Sequence, residues 1–256
     1  MKQATSTNCI FTVSNFTLVK EKVLSWANQF STFCFLDNHH YQVKAHSVEC
    51  ILGAGVVDFI ETNTSNALEQ LQEFIGETKK WVFGHLGYDL KTEIKNSHCP
   101  VDDHIQFPDL FFYQPKVVIR FDEKEMTIES EAGNEEEIYR EILEVGNSKP
   151  GVNSTIQIHN RIERDEYISI INKLKAHILR GDCYEINFCQ EFFAENVIID
   201  PFSIYQKLSA ISPNPFSAFY KLNDKYLICA SPERFLRKEG NKILSQPIKG
   251  TSTRAA

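Results

Sequence analysis

No uninterrupted apolar run in this 256-residue chain approaches the roughly 18 residues of a membrane-spanning helix. The opening residues Met1-Lys2-Gln3-Ala4-Thr5-Ser6-Thr7-Asn8 lack the apolar segment of a secretory leader. Both absences lead to the expectation of a soluble, cytoplasmic protein. Excess positive charge is missing as well: 27 Lys and Arg stand against 34 Asp and Glu, a formal net charge of −7. A broad nucleic-acid footprint is not expected from such a chain, and an anionic small substrate needs its own local cations.

Spacing motifs for metals and bridges are scarce too. The seven cysteines (9, 34, 50, 99, 183, 189 and 229) are odd in number and show no C-x-x-C pair. That suits reduced thiols better than a disulfide framework or a zinc site. The histidines at 39, 40, 46, 85, 98, 104, 159 and 177 show no H-E-x-x-H or comparable ligand spacing, so structural or exposed roles are expected. There is no internal repeat.

What is present is a core-forming composition, 42% hydrophobic, enough for one large core or two modest ones. Lys116-Val117-Val118-Ile119-Arg120-Phe121 and Met126-Thr127-Ile128-Glu129 alternate about a charged turn and predict a β-hairpin. Residues 33–36, 48–51 and 81–83 are further short strand candidates. Within 62–80, Ala67, Leu68, Leu71, Phe74 and Ile75 recur at helical spacing. The acidic stretch Gly133-Asn134-Glu135-Glu136-Glu137 reads as a solvated turn leading into a helix. At Asn147-Ser148-Lys149-Pro150-Gly151 the composition turns polar and turn-forming, which places a join between portions 1–150 and 151–256.

The second portion is more sharply punctuated. Asp165 is the predicted cap of a helix with apolar positions Tyr167, Ile170, Ile171, Leu174 and Ile178 and with Gly181 as its stop. Alternation over 184–192 predicts a strand with Tyr184, Ile186 and Phe188 on one face and Glu185, Asn187 and Cys189 on the other. Asp200-Pro201 starts a helix whose stripe is Ile204, Tyr205 and Leu208. Two hairpins follow, 216–222 with 226–230 and 235–237 with 242–244. Helices interrupting runs of hairpins point to an α+β fold with antiparallel sheets rather than a doubly wound one.

Taken singly, Lys249 and Glu233 are unremarkable polar residues at strand exits, and such groups are usually solvated. Their setting changes that reading. Gly181-Asp182-Cys183-Tyr184-Glu185-Ile186-Asn187, Asp200-Pro201, Ser212-Pro213-Asn214-Pro215, Ala230-Ser231-Pro232-Glu233 and Pro247-Ile248-Lys249-Gly250-Thr251 follow one another in order. Together they resemble the motif series of the chorismate-binding enzymes, a family that includes anthranilate synthase component I, aminodeoxychorismate synthase component I, isochorismate synthases and salicylate synthases.

The resemblance implies a sandwich of antiparallel sheets with outer helices, like anthranilate synthase component I. Residues 1–150 then correspond to its N-terminal α+β subdomain and 151–256 to the first part of its catalytic domain. Lysine before the Gly-Thr pair resembles the aminodeoxychorismate synthases, where anthranilate synthases carry alanine. By that resemblance Lys249 is the nucleophile at C2 of chorismate, Glu233 is the acid near C4, and Gly250, Thr251 and Arg254 hold substrate. Arg254 serves equally well as an ion pair holding its loop. Asn187 and Gln190 fit a structural role better than a catalytic one.

The resemblance further implies Mg²⁺, with ligands in a segment the family carries beyond the position of Ala256, and a glutamine amidotransferase subunit that supplies ammonia. A chain ending at Ala256 is expected to be inactive alone. Trp81-Val82-Phe83-Gly84-His85-Leu86-Gly87-Tyr88-Asp89 resembles a family motif that packs a sheet. Phe35-Leu36-Asp37-Asn38 occupies the place of a Leu-Leu-Glu-Ser segment that begins a tryptophan site in relatives, and its lack of serine argues against tryptophan here. Anthranilate or isochorismate synthesis, or a non-catalytic regulatory module, are the competing readings.

Overall fold

Alternating apolar residues dominate the first 130 positions, and they become strands because each finds a ladder partner. The computed structural model describes residues 9–42, 48–63, 66–78, 80–91, 103–146 and 156–248. In chain order the first elements are β1 (Cys9–Thr12), α1 (Phe16–Ala27), β2 (Thr32–Asp37), β3 (Cys50–Ala54), β4 (Asp58–Thr62), α2 (Ala67–Glu77), β5 (Phe83–Leu86), β6 (Leu110–Gln114), β7 (Val117–Phe121), β8 (Glu125–Ser130) and α3 (Glu135–Glu144). Then come β9 (His159–Asn160), α4 (Arg164–Arg180), β10 (Phe192–Phe193), α5 (Pro201–Ile211), β11 (Phe216–Leu222), β12 (Lys225–Ser231), β13 (Arg234–Glu239) and β14 (Lys242–Gln246).

The chain divides into two compact units, Met1–Lys149 with Ile204–Ala256, and Pro150–Ser203. In the first unit a seven-stranded antiparallel sheet runs β1-β8-β7-β3-β2-β11-β12. A three-stranded sheet, β4-β6-β5, lies over it, and β13 and β14 form a separate hairpin. The result is the antiparallel α+β sandwich expected from the sequence.

Period-two side chains decide which layer each residue serves. On β2, Phe33 and Phe35 turn to the helical side, where Phe35 meets Tyr205 of α5 edge-on and Phe33 meets Phe219. Cys34 turns the other way and joins Ile51, Phe83, Phe111, Tyr113, Val118 and Tyr220 in the core between the sheets. Each fully buried side chain of this size contributes about 1.5–3 kcal/mol. Helix α2 covers the outer face of the small sheet, with Ala67 and Leu71 against Leu110. Helices α1 and α3 pack on each other, tied by Trp26 Nε1 donating to Glu141 Oε2 at 2.8 Å.

Side chains and turns set several helix ends, and the Asp200 start and the Gly181 stop are the ones expected from the sequence. Asn15 caps α1 by accepting from the Leu18 N–H at 3.0 Å. Asp200 starts α5 by accepting from the Phe202 N–H and the Ser203 hydroxyl. Gly181 ends α4 at φ +88°, a left-handed conformation that suits glycine. The acidic turn leads into α3, although its first glutamate, Glu135, is buried and accepts from the Ser130 N–H.

Three expectations need correction. The cap of α4 is Glu163, so Asp165 lies inside the first turn, where its charge complements the helix dipole. The apolar stripe of that helix has no buried member. Residues 184–191 form no strand: among the described residues 184–190 have no ladder partner, the Glu191 carbonyl accepts a single bond from the Arg161 N–H at 2.9 Å, and Tyr184 is 93% exposed. Alternation alone does not make a strand when backbone groups find no neighbouring chain. Only Phe192 and Phe193 pair, with Asn160 and His159.

Candidate functional site

Glu233 follows Ser231-Pro232 at the exit of β12 and is exposed. Its local backbone is set by Ser231, whose Oγ accepts from the Glu233 N–H at 3.2 Å and donates to the Glu233 carbonyl at 3.0 Å. The next residue opens the β13–β14 hairpin, which turns at Gly240 (φ +56°) and Asn241. Arg234 is in register with Gln246, and its Nε donates to Gln246 Oε1 at 3.1 Å. Glu233 and Pro247 therefore flank the same end of one hairpin, and Ile248 is exposed beside it.

Lys249, Gly250, Thr251 and Arg254 lie outside the described residues. Of the other two candidates, Asn187 is exposed rather than buried, whereas Gln190 is half-buried and its Nε2 donates to the Ile162 carbonyl at 2.7 Å.

A cleft of about 490 Å³ opens between the two sheets, lined among others by Leu36, Asn38, Trp81, Phe83, Phe216 and Arg234. It borders the segment 35–38. Asn38 does not offer its amide to this space freely, because Nδ2 donates to the Tyr41 carbonyl at 3.0 Å and to Glu49 Oε2 at 2.9 Å. The Gly84-His85 segment packs the small sheet, as expected. A Cβ at Gly84 would overlap the Phe111 carbonyl oxygen and Phe112, so only glycine allows β5 to lie this close to β6.

Sequence reasoning missed a polar cluster on the helical side of β2. The Asp37 carboxylate is fully buried, yet Lys20 of α1 reaches it with Nζ 2.5 Å from Oδ2. The Tyr205 hydroxyl donates to Oδ2 at 3.2 Å, the His39 N–H to Oδ1 at 3.0 Å and the Cys50 thiol to Oδ1 at 3.7 Å. Burial, with Asp37 adding to it, holds the Tyr205 hydroxyl and the Cys50 thiol well above their ordinary values, and so both protonated. His39 and His40 adopt left-handed φ of +50° and +59°, each at a cost of about 1–2 kcal/mol. Their N–H groups donate to Asp37 and Glu49, which offsets that cost. The one visible signal was a carboxylate ending the apolar run Phe33-Cys34-Phe35-Leu36-Asp37.

Comparison with known proteins adds a family. The sequence profile described as chorismate binding enzyme matches residues 22–256. An anthranilate synthase component I-like protein of Synechocystis sp. is 25% identical over 194 residues, covering 74% of this chain and 40% of its own length. Aminodeoxychorismate synthase component 1 of Klebsiella aerogenes is 28% identical over 177 residues, covering 68% of this chain and 39% of its own length. The chain thus spans about two fifths of the curated relatives it matches. The crystal structure of anthranilate synthase component I from Streptococcus pneumoniae superposes with a TM-score of 0.63 at 21% identity, over 80% of this chain and 55% of that one.

Proposed function

Given that the chain belongs to the chorismate-binding enzyme family, we propose that it is part of an aminodeoxychorismate synthase, which aminates chorismate at C4. The observation that carries this reading is Lys249 in Pro247-Ile248-Lys249-Gly250-Thr251, directly after β14. In the proposed reaction Lys249 Nζ bonds to C2 while the C4–O bond breaks, and the departing oxygen leaves as water after taking a proton from Glu233. Ammonia then bonds to C4, the C2–Nζ bond breaks, and the lysine returns with 4-amino-4-deoxychorismate as product.

Each step has a physical demand. The lysine must shed a proton it ordinarily holds up to a pKa of about 10.4. The leaving hydroxyl needs an acid within hydrogen-bond reach. The hairpin supports the pairing of roles, since the register of Arg234 with Gln246 folds Glu233 and the start of the lysine segment to one end. Gly250 and Thr251 then supply backbone and hydroxyl donors for a substrate carboxylate, and Arg254 a guanidinium.

Mg²⁺, which the resemblance also implies, takes oxygen donors in near-octahedral geometry. The grouped donors among the described residues, Asp37, Glu49 and Cys50, include a buried thiol and do not fit it. No step here runs through it. Ammonia is assigned to a separate glutamine amidotransferase chain.

The test is mass spectrometry of the native protein containing this chain after incubation with chorismate and no ammonia. A covalent adduct mapped to Lys249 is expected. Release of anthranilate or isochorismate in the complete assay, with Lys249 unmodified, overturns the reading.

A further inference from the structure

The buried cluster around Asp37 takes no part in the proposed amination. Three donor residues meet there. Asp37 and Cys50 are Cα partners across β2 and β3, so their side chains share one face of the sheet, and Glu49 adjoins Cys50 in sequence. One ligand atom from each of the three lies within 4.8 Å of the other two.

A second, independent feature points into the same place. The His39 side chain is only 10% exposed, and its Nε2 is buried without a hydrogen-bond partner, 3.4 Å from Asp37 Oδ2. Buried imidazole nitrogens are normally satisfied, so an orphaned one facing a carboxylate calls for a partner atom.

We propose that Asp37, Glu49, Cys50 and His39 form a binding site for a transition-metal ion of the zinc class, with Lys20 as the resident counter-cation when no metal is bound. A thiolate, an imidazole and two carboxylates form a mixed S, N, O donor set that suits zinc and disfavours magnesium or calcium. Donors around a tetrahedral ion lie about 3.4 Å apart, given bonds of about 2.0–2.3 Å, so the present cluster closes by roughly 1 Å on binding. The C-x-x-C and H-x-x-H patterns of zinc proteins could not reveal such a site, because its ligands come from the end of β2 and the turn after it, and from the start of β3 and the residue before it.

Charge bookkeeping favours the exchange. Asp37 and Glu49 with Lys20 carry one net negative charge; Asp37, Glu49 and a Cys50 thiolate with a divalent ion also carry one. On binding, the Cys50 S–H bond breaks, sulfur keeps the electron pair for the metal, and the proton goes to solvent. Lys20 keeps its proton and leaves Asp37; its side chain is 20% exposed, so its ammonium has a route to water. Glu49 also lines the cleft between the sheets and its side chain is 10% exposed, which gives the ion an entry path.

The experiment is titration of the full 256-residue chain with Co²⁺, read by thiolate-to-cobalt charge-transfer absorption, followed by displacement with Zn²⁺. One equivalent of cobalt with a thiolate band, abolished by zinc, is expected. Cys50→Ala should remove the band, His39→Ala should weaken binding at least about tenfold, and Lys20→Met should tighten it. Absence of any thiolate band in the wild-type chain overturns the proposal, as does a band that survives in folded Cys50→Ala because another cysteine supplies it. If Cys50→Ala fails to fold by circular dichroism, the His39→Ala and Lys20→Met arms decide: unchanged affinity in both rejects the site.

Discussion

His85 Nδ1 accepts a hydrogen bond from the Tyr220 hydroxyl at 3.2 Å, across 135 positions of sequence. The proton assignment follows from the other nitrogen, because Nε2 lies 2.9 Å from the Pro108 carbonyl, which can only accept. The pair joins β5 of the small sheet to β11 of the large one. It requires a neutral imidazole.

Burial lowers the pKa of His85 below its ordinary value of 6.5, against opposing pulls from the Pro108 carbonyl and Glu61. Above pH 6.5 the group is neutral in both folded and unfolded chains and adds no pH dependence. As pH falls through 6.5 the unfolded chain takes up a proton that the folded chain refuses, so stability declines until pH passes the lower folded value. Urea unfolding between pH 8 and pH 5 should show this loss, and His85→Phe should flatten that part of the profile.

Gly53 of β3 marks a close approach of the two sheets. A Cβ there would stand 2.6 Å from the Phe83 ring, which is itself in the core and has nowhere to retreat. Gly53→Ala is expected to cost about 1–3 kcal/mol, measured by chemical denaturation at constant m-value. A neutral result would mean that the small sheet moves easily over the large one.

Lys20 compensates a carboxylate that has no access to water. Lys20→Met in the metal-free chain leaves Asp37 buried and unpaired, for an expected loss of about 3–5 kcal/mol. The same variant should regain stability with added Zn²⁺, read as a rise in melting temperature larger than that of the wild type.

For the amination chemistry, Lys249→Ala should abolish both the chorismate adduct and product formation in the native protein. Glu233→Gln should slow turnover by about 10²–10⁴-fold while leaving substrate binding, followed by isothermal titration calorimetry, nearly unchanged.

Local elements were legible where the signal was local. Asp200 caps a helix by its own side chain, Gly181 ends one, and two-residue turns at Asn223-Asp224 and Gly240-Asn241 close two of the hairpins. Sheet order was not legible, because nothing in 216–222 announces that it pairs with 32–37. The misread strand at 184–191 shows the same limit from the other side, since periodicity there had no partner to act on. The candidate site divides likewise. A run of adjacent motif residues such as 247–251 is visible in one dimension, whereas Asp37, Cys50 and Lys20 meet only once β2, β3 and α1 are assembled.

The position of β11 between β2 and β12 has a consequence for how the protein is made. All the other strands of the large sheet except β12 are complete by Ser130, but the β2 edge stays unpaired until Leu222 has left the ribosome. At about 5–20 residues per second of synthesis, the nascent chain carries an open, apolar strand edge for several seconds or more. Folding of this core is thus tied to translation of its distant strand, and codon usage or chaperone supply between positions 130 and 222 should govern the yield of soluble protein.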